Sequence, residues 1–201
     1  PLVKAMLNYG ASAQSYFGYN TGSMMNASLT TAQKALVSAY SESMIAAVPS
    51  VSSTKAGSFV MNGGYSDIHP TVSFEGAFAI NYYMTPGYEV AGDMTFYYWN
   101  AEDYAAVDVL SIDNATGSMV MTQNGDAYVG TISGIAAKDI DSPLYACAVY
   151  TAADGNTYAS GIMAYSLGQY CGNQATKTSD TAPLAKAIAV YGYYAAVFFA
   201  Q

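Results

Sequence analysis

The chain has 201 residues, 52% of them hydrophobic and only 10% charged, enough length and apolar content to bury a proper core in one domain or two small ones. Six basic residues, all lysine, stand against fourteen acids for a net charge of −8. That balance argues against nucleic acid and anionic lipid, which both demand clustered cations. No apolar run approaches the roughly 18 residues of a membrane span, so a water-soluble chain with no membrane insertion is expected.

Residues 1–17 read PLVKAMLNYGASAQSYF and residues 183–199 read PLAKAIAVYGYYAAVFF, so that Pro, Leu, Lys, Ala, Tyr-Gly, Ala and Phe recur in register. Pro1 and Pro183 suit a first helical position, where the missing N–H would be unpaired anyway. Leu2, Met6, Tyr9, Ala13 and Tyr16 recur at helical steps, as do Leu184, Ile188, Tyr191, Ala195 and Phe198. Two helices follow, over 1–17 and 183–199, each with one apolar face. A mid-helix glycine costs about 1 kcal/mol against alanine, so Gly10 and Gly192 suggest close approach of another backbone. The first helix opens without a basic leader, so any secretory signal is expected to be removed or to lie upstream.

Residues 18–28 are a polar loop. Thr30 with Gln33 makes a capping box opening a helix over 30–48, with Leu36, Tyr40, Met44 and Val48 on its buried face and Pro49 after it. Residues 50–57 (SVSSTKAG) are a linker, beyond which the period changes from helical to alternating. A short strand is expected at 58–61, and a long one over 72–84, bent or bulged at Gly76. Pro86-Gly87 turns the chain. Residues 93–99 alternate Met94, Phe96 and Tyr98 with Thr95, Tyr97 and Trp99, and a strand follows at 107–110. Asn124-Gly125 joins strands at 119–123 and 127–132; Asp154-Gly155 joins 144–151 and 157–164.

About seven strands at such spacing predict an antiparallel β-sandwich over 57–171. The fold class is α+β: that sandwich with helices from both termini packed on a shared sheet, a single module over 1–201. Residues 172–182 are a polar connector. The repeated helix also fits a larger repeating unit, so the chain is expected to be a slice of a longer multidomain protein. Twenty tyrosines, with abundant Ser, Thr, Asn and Gly and few charges, suit an extracellular β-rich protein. Cys147 and Cys171 read equally well as a disulfide or as two buried free thiols.

The phrases at 2–20 and 183–199 resemble a recurring segment, LVKAxLNYGAxAQxYF, of large secreted or cell-surface proteins of gut clostridia and ruminococci. In those proteins the helix follows a small β-sandwich ending in a Tyr-Ser strand, here MAYSLGQYC at 163–171. GIAAKDI at 134–140 and the Asp154-Gly155 hairpin fit the same pattern. The second copy departs at Val190, Tyr193 and Tyr194, where the first has Asn8, Ala11 and Ser12. The resemblance implies an extracellular, non-catalytic module in a carbohydrate-processing or adhesive setting, and carries over no catalytic residue and no cofactor.

The residues offer little catalytic chemistry. The sole histidine, His69, would need Asp67 to orient it and a nucleophile beside it. Ala164-Tyr165-Ser166-Leu167-Gly168 lacks the first glycine of a nucleophile elbow and is expected to run from a strand into a loop. One His and two distant Cys do not make a zinc set. The pairs Glu102/Asp103 and Asp139/Asp141 read as solvated loop acids, and Asp113/Asn114 and Asp154/Asn156 as turn residues rather than calcium ligands. Lys138 is the lysine best placed for an intramolecular Lys–Asn bond, which solvated side chains would not form.

The best lead is Phe96-Tyr97-Tyr98-Trp99. With Met94, Phe96 and Tyr98 inward, Tyr97 and Trp99 face outward about 7 Å apart and stack on sugar rings, while Asn100, Glu102 or Asp93 bond hydroxyls. The competing reading is that a second layer covers this face. Tyr65, Tyr88 and Tyr158 are alternative outward aromatics beside turns. The expected partners are a polysaccharide or glycan and neighbouring modules of the same polypeptide; a structural spacer or protein-docking module is the rival.

Overall fold

The structure, a computed structural model, describes residues 1–56 and 68–201; the strand expected at 58–61, Tyr65 and Asp67 lie outside the described residues. In chain order its elements are α1 (Leu2–Phe17), α2 (Thr31–Lys34), β1 (Ile68–Ser73), β2 (Ala79–Met84), β3 (Val90–Trp99), α3 (Ala101–Ala106), β4 (Gly117–Val120), β5 (Thr122–Asn124), β6 (Ala127–Ser133), β7 (Leu144–Ala152), β8 (Thr157–Ala159), β9 (Met163–Tyr165), α4 (Leu167–Ala175) and α5 (Thr181–Phe199). The fold is α+β, with antiparallel sheets in a sandwich-like arrangement and helices at both termini. The chain divides into two compact units: Pro1–Ala47 with Ile135–Asp141 and Leu167–Gln201, and Val48–Gly134 with Ser142–Ser166.

In the first unit the repeated phrases are helical, and they are partners. Tyr9 and Tyr191, equivalent in the two copies, stack with centroids 5.5 Å apart at 12°. Ala5 and Ala11 of α1 are buried, whereas Met6 and Tyr16 of the expected apolar face are 44% and 43% exposed. In α5, Leu184, Ile188 and Ala195 are buried as expected, and Phe198 is exposed. A side chain on Gly192 would run into Ile140 and lie 3.1 Å from the Ala137 carbonyl oxygen, so this glycine does admit a neighbouring backbone; Gly10 instead faces the Met25 side chain. α5 begins at Thr181, so Pro183 sits inside the first turn, where its N–H is not needed. By length and composition α5 could cross a membrane, a correction to the reading of the bare sequence. Its Leu184, Ala185, Ile188 and Ala189 are buried within the unit, as in the core helix of a globular body.

The helix expected over 30–48 stops at Lys34. The capping box forms, with Thr30 Oγ1 accepting from Gln33 N–H at 3.2 Å and Gln33 Oε1 accepting from Thr30 N–H at 2.9 Å. In a continuing helix the Ser38 N–H would bond the Lys34 carbonyl. It donates instead to the Tyr194 hydroxyl at 3.0 Å, which donates back to Ser38 Oγ. The ladder has already tightened to i−3 bonds at Leu36 and Val37, the tertiary bond holds the chain that follows, and Leu36 is left 57% exposed while Met44 is buried. The segment 163–171, expected as a strand, becomes β9 and then α4; Leu167, Cys171 and Ala175 are buried at four-residue spacing, which is helical.

In the second unit the strands make two sheets, β1–β2–β6–β5 and β4–β3–β7–β8, with β9 also on β7. The long strand expected over 72–84 is two strands, because Gly76 takes a left-handed φ of 80° and the chain reverses there. The hairpins at Gly125 (φ 63°) and Gly155 (φ 82°) form where expected. Residues 119–123 split between β4 and β5, which belong to different sheets, and 107–110 is not a strand. Ile80, Tyr82 and Met84 of one sheet and Met94 and Phe96 of the other are buried. The Tyr82 and Phe96 rings meet at 5.0 Å. Gly130 leaves room for Phe96, whose Cβ and Cγ would lie 3.0 Å from an added Cβ.

Candidate functional site

Over residues 94–99 β3 is covered on both faces. Met94 and Phe96 enter the core between the sheets, while Trp99, Tyr145 and Cys147 form a second cluster with Leu110 and Ala159. Tyr97, Tyr104 and Val107 pack against that cluster, and Tyr104 stacks on Tyr145 at 3.5 Å and 4°. The cover is pinned by Lys55, whose ammonium donates to the carbonyls of Tyr104 and Val107, both at 2.7 Å, at the C-terminal end of α3, where a cation suits the helix dipole.

Of the two orientations the sequence leaves open for Trp99, the structure has the covered one. Its side chain is 0% exposed and its indole N–H donates to Asn114 Oδ1 at 2.9 Å, the partner a buried indole requires. Asn114 also accepts from Ser111 N–H and donates to the Val109 carbonyl, a latch that the sequence reading treated as a turn residue. Tyr97 is half-buried. Asn100 caps α3: its Oδ1 accepts from Asp103 N–H at 2.8 Å and its Nδ2 donates to Asp103 Oδ2 at 3.0 Å. Glu102 and Asp93 are exposed. An extended strand therefore does not present Tyr97 and Trp99 as a ring platform, since the second layer occupies that side.

The alternative outward aromatics come together instead. Tyr88, from the loop before β3, stacks on Tyr158 of β8 with centroids 4.5 Å apart at 24°, and is 43% exposed. The Tyr88 N–H donates to the Tyr150 hydroxyl at 3.3 Å, and Ala153 N–H donates to the Glu89 carbonyl at 2.9 Å, so loop and hairpin are tied by backbone. Asp154 begins an Asx turn: Oδ1 accepts from Asn156 N–H, and Oδ2 accepts from Asn156 Nδ2 and the Tyr158 hydroxyl, all at 2.9 Å. The Asn156 backbone and amide bonds, then the Tyr158 hydroxyl, hold the Asp154 carboxyl below the usual range, and the hydrogen bond given to Asp154 raises the Tyr158 phenol. The result is one exposed ring, Tyr88, backed by half-buried Tyr158 beside a fixed carboxylate and amide, held on two turns distant in sequence. Neighbouring Pro-Gly and Asp-Gly turns flagged each tyrosine singly; their pairing is tertiary.

Other candidates find structural roles. His69 stacks on Tyr83 at 5.5 Å. Ser166 does lie between a strand and a helix, a correction, since α4 follows β9; yet it is buried and φ is not positive, unlike the strained turn of a nucleophile elbow. Lys138 pairs on the surface with Asp139 at 3.0 Å. Asp141 is half-buried, and burial raises its carboxyl while the Ala46 N–H lowers it. Among the described residues no three His, Cys, Asp or Glu side chains gather to hold a metal. Cys147 and Cys171 are both free and buried, which resolves the open cysteine question in favour of thiols. The first unit has an open depression of about 990 Å³ floored by Ser12, Ser15 and Tyr16, with Asp180 its one charged lining residue.

No protein-family model matches the chain, and no curated protein matches it. Among solved structures it is similar to the Br derivative of BhCBM56, a carbohydrate-binding module, with 12% identity and a TM-score of 0.34 over 50% of this chain and 92% of that one. The class defined here by fold is an α+β chain bearing a two-sheet β unit with an aromatic–carboxylate surface site.

Proposed function

We propose that residues 1–201 act as one non-catalytic, extracellular module of a larger bacterial surface protein and contact a glycan through Tyr88, Tyr158, Asp154 and Asn156. The observation that carries the reading is exposed Tyr88 stacked on half-buried Tyr158 beside Asp154. A sugar ring has an apolar C–H face that stacks on an aromatic and a rim of hydroxyls that need fixed acceptors and donors. Both are provided side by side, on backbone tied across two turns. Tyr158 and Asn156 orient the carboxylate before any ligand arrives, which lowers the ordering cost of binding.

A glycan array probed with the labelled chain tests this. Retention of a glycan, weakened about tenfold by Tyr88→Ala and by Asp154→Ala with the fold intact, supports the reading; unchanged retention by both variants, or none by the native chain, overturns it.

The second reading, a spacer or protein-docking module, draws on the exposed apolar residues of α1 and α5: Val3, Met6, Val197, Phe198 and Phe199 are 44–64% exposed. Patches of this kind mark protein contacts. A longer polypeptide whose first unit melts higher than in this chain would favour it.

A further inference from the structure

The sheet β1–β2–β6–β5 has an outer face that its core does not require. Residues pointing away from Phe96 fall into rows across the strands: His69, Tyr83, Val129 and Thr122 in one, and Thr71, Asn81 and Thr131 in the next. The first row carries two rings and Val129 before ending on Thr122, with the His69 and Tyr83 rings stacked and parallel to within 14°. The second is a polar ladder. Asn81 Nδ2 donates to Ser73 Oγ at 3.0 Å, and Thr131 Oγ1 donates to Asn81 Oδ1 at 2.8 Å. His69, Thr71, Thr122 and Thr131 are exposed, and Asn81 and Tyr83 half-buried. These bonds fix the side chains yet leave the second amide N–H of Asn81 and hydroxyl lone pairs uncommitted.

Charge narrows the occupant. None of these positions is Asp, Glu or Lys, on a chain of net charge −8. An anion is repelled by the whole molecule, and a cation finds no carboxylate here. A protein partner anchors on a dry apolar centre with aromatic hot spots, whereas this surface is striped with hydroxyl and amide groups from strand to strand. Rows cross strands spaced about 4.8 Å apart, so matching groups repeat on the scale of one pyranose ring. We infer that this face is a second contact surface whose ligand is a linear, uncharged polysaccharide strand, lying along the stacked Tyr83–His69 pair with its hydroxyls on the Asn81 ladder. The inference rests on the glycan reading above but uses a different surface, so the two can fail separately.

Affinity electrophoresis of the full chain in gels of mixed-linkage β-glucan, xylan and galactomannan, with carboxymethyl-cellulose as the charged counterpart, tests it. The expected result is retardation by at least one neutral polymer, without preference for the charged one. Affinity drops about tenfold or more in Tyr83→Ala and in Thr131→Lys, the second at an exposed position that leaves the fold in place by circular dichroism. Retardation of the native chain that survives both changes overturns this face. If only Tyr88→Ala and Asp154→Ala abolish it, the glycan function stands and this surface falls. Loss in the face variants alone retires the tyrosine-pair site instead. No retardation by any neutral polymer overturns both.

Discussion

Tyr9 and Tyr191 occupy the same place in a phrase the chain contains twice, and their rings stack on each other 5.5 Å apart. The N-terminal part of α1, with Leu2 and Met6, lies beside the C-terminal part of α5, with Ala195 and Phe199, so the helices run antiparallel. The two copies thus meet about a pseudo-two-fold axis, as in an isologous contact.

A double-mutant cycle with Tyr9→Ala and Tyr191→Ala measures the stack. Each single change is expected to cost about 1–3 kcal/mol in urea unfolding, with a coupling of about 0.5–1.5 kcal/mol between them. Additive losses would show that the rings share no direct interaction.

Gly192 faces Ile140 and the Ala137 carbonyl, with no room for a methyl group. Gly192→Ala is expected to destabilise by about 1–3 kcal/mol through overpacking, despite alanine's better helix propensity. Gly10→Ala meets only the flexible Met25 side chain and is expected to cost less. Equal effects at the two glycines in chemical denaturation would count against the close approach.

Trp99→Ala empties a fully buried site and breaks the bond to Asn114, so a loss of about 3–5 kcal/mol is expected. Asn114→Ala strands the indole N–H and costs about 1–3 kcal/mol. Because Trp99 is the sole tryptophan, native fluorescence reads its environment directly: a blue-shifted, quencher-resistant emission is expected, and a red-shifted one would contradict the burial.

Tyr82 is buried against Phe96, and among the described residues its hydroxyl has no hydrogen-bond partner. Removing an unsatisfied polar group is near neutral or stabilising. Tyr82→Phe is therefore expected to keep or raise the urea midpoint by up to about 1 kcal/mol of stability, and a clear loss would reveal a bond.

Burial pushes the Cys147 thiol up to about 12, against a bond from Ser160 that lowers it. Above its unfolded pKa of about 8.5 the unfolded chain binds fewer protons than the native one, so ∂ΔG/∂pH is negative and stability falls as pH rises toward about 12. Burial raises the Tyr82 phenol too, which acts in the same sense. Urea titrations between pH 8 and 11 should show that decline, and Cys147→Ala should make it shallower. Both thiols are expected to resist a water-soluble disulfide reagent until the chain unfolds.

Much of the architecture is written in local chemistry. Gly125 and Gly155 reverse the chain where Asn-Gly and Asp-Gly predict, because a hairpin turn needs positive φ regardless of what packs on it. The repeated phrase declares two helices by its spacing, and Thr30 with Gln33 starts a third. Where the chain goes after that third helix depends on a distant segment, since the Ser38 N–H donates to the Tyr194 hydroxyl. Alternation along β3 likewise separates Phe96 from Trp99 but is silent on which side meets water; a strand covered on both faces and a strand with one wet face share the same period. The candidate site shows the same division. Turn residues marked Tyr88 and Tyr158 as outward, a property of each position alone, whereas their stacking needed the loop before β3 and the β7–β8 hairpin to be tied together. Period and turn chemistry are encoded over a few residues and can be read directly; burial and ring pairing depend on which distant segments the chain brings together, and only the tertiary structure decides that.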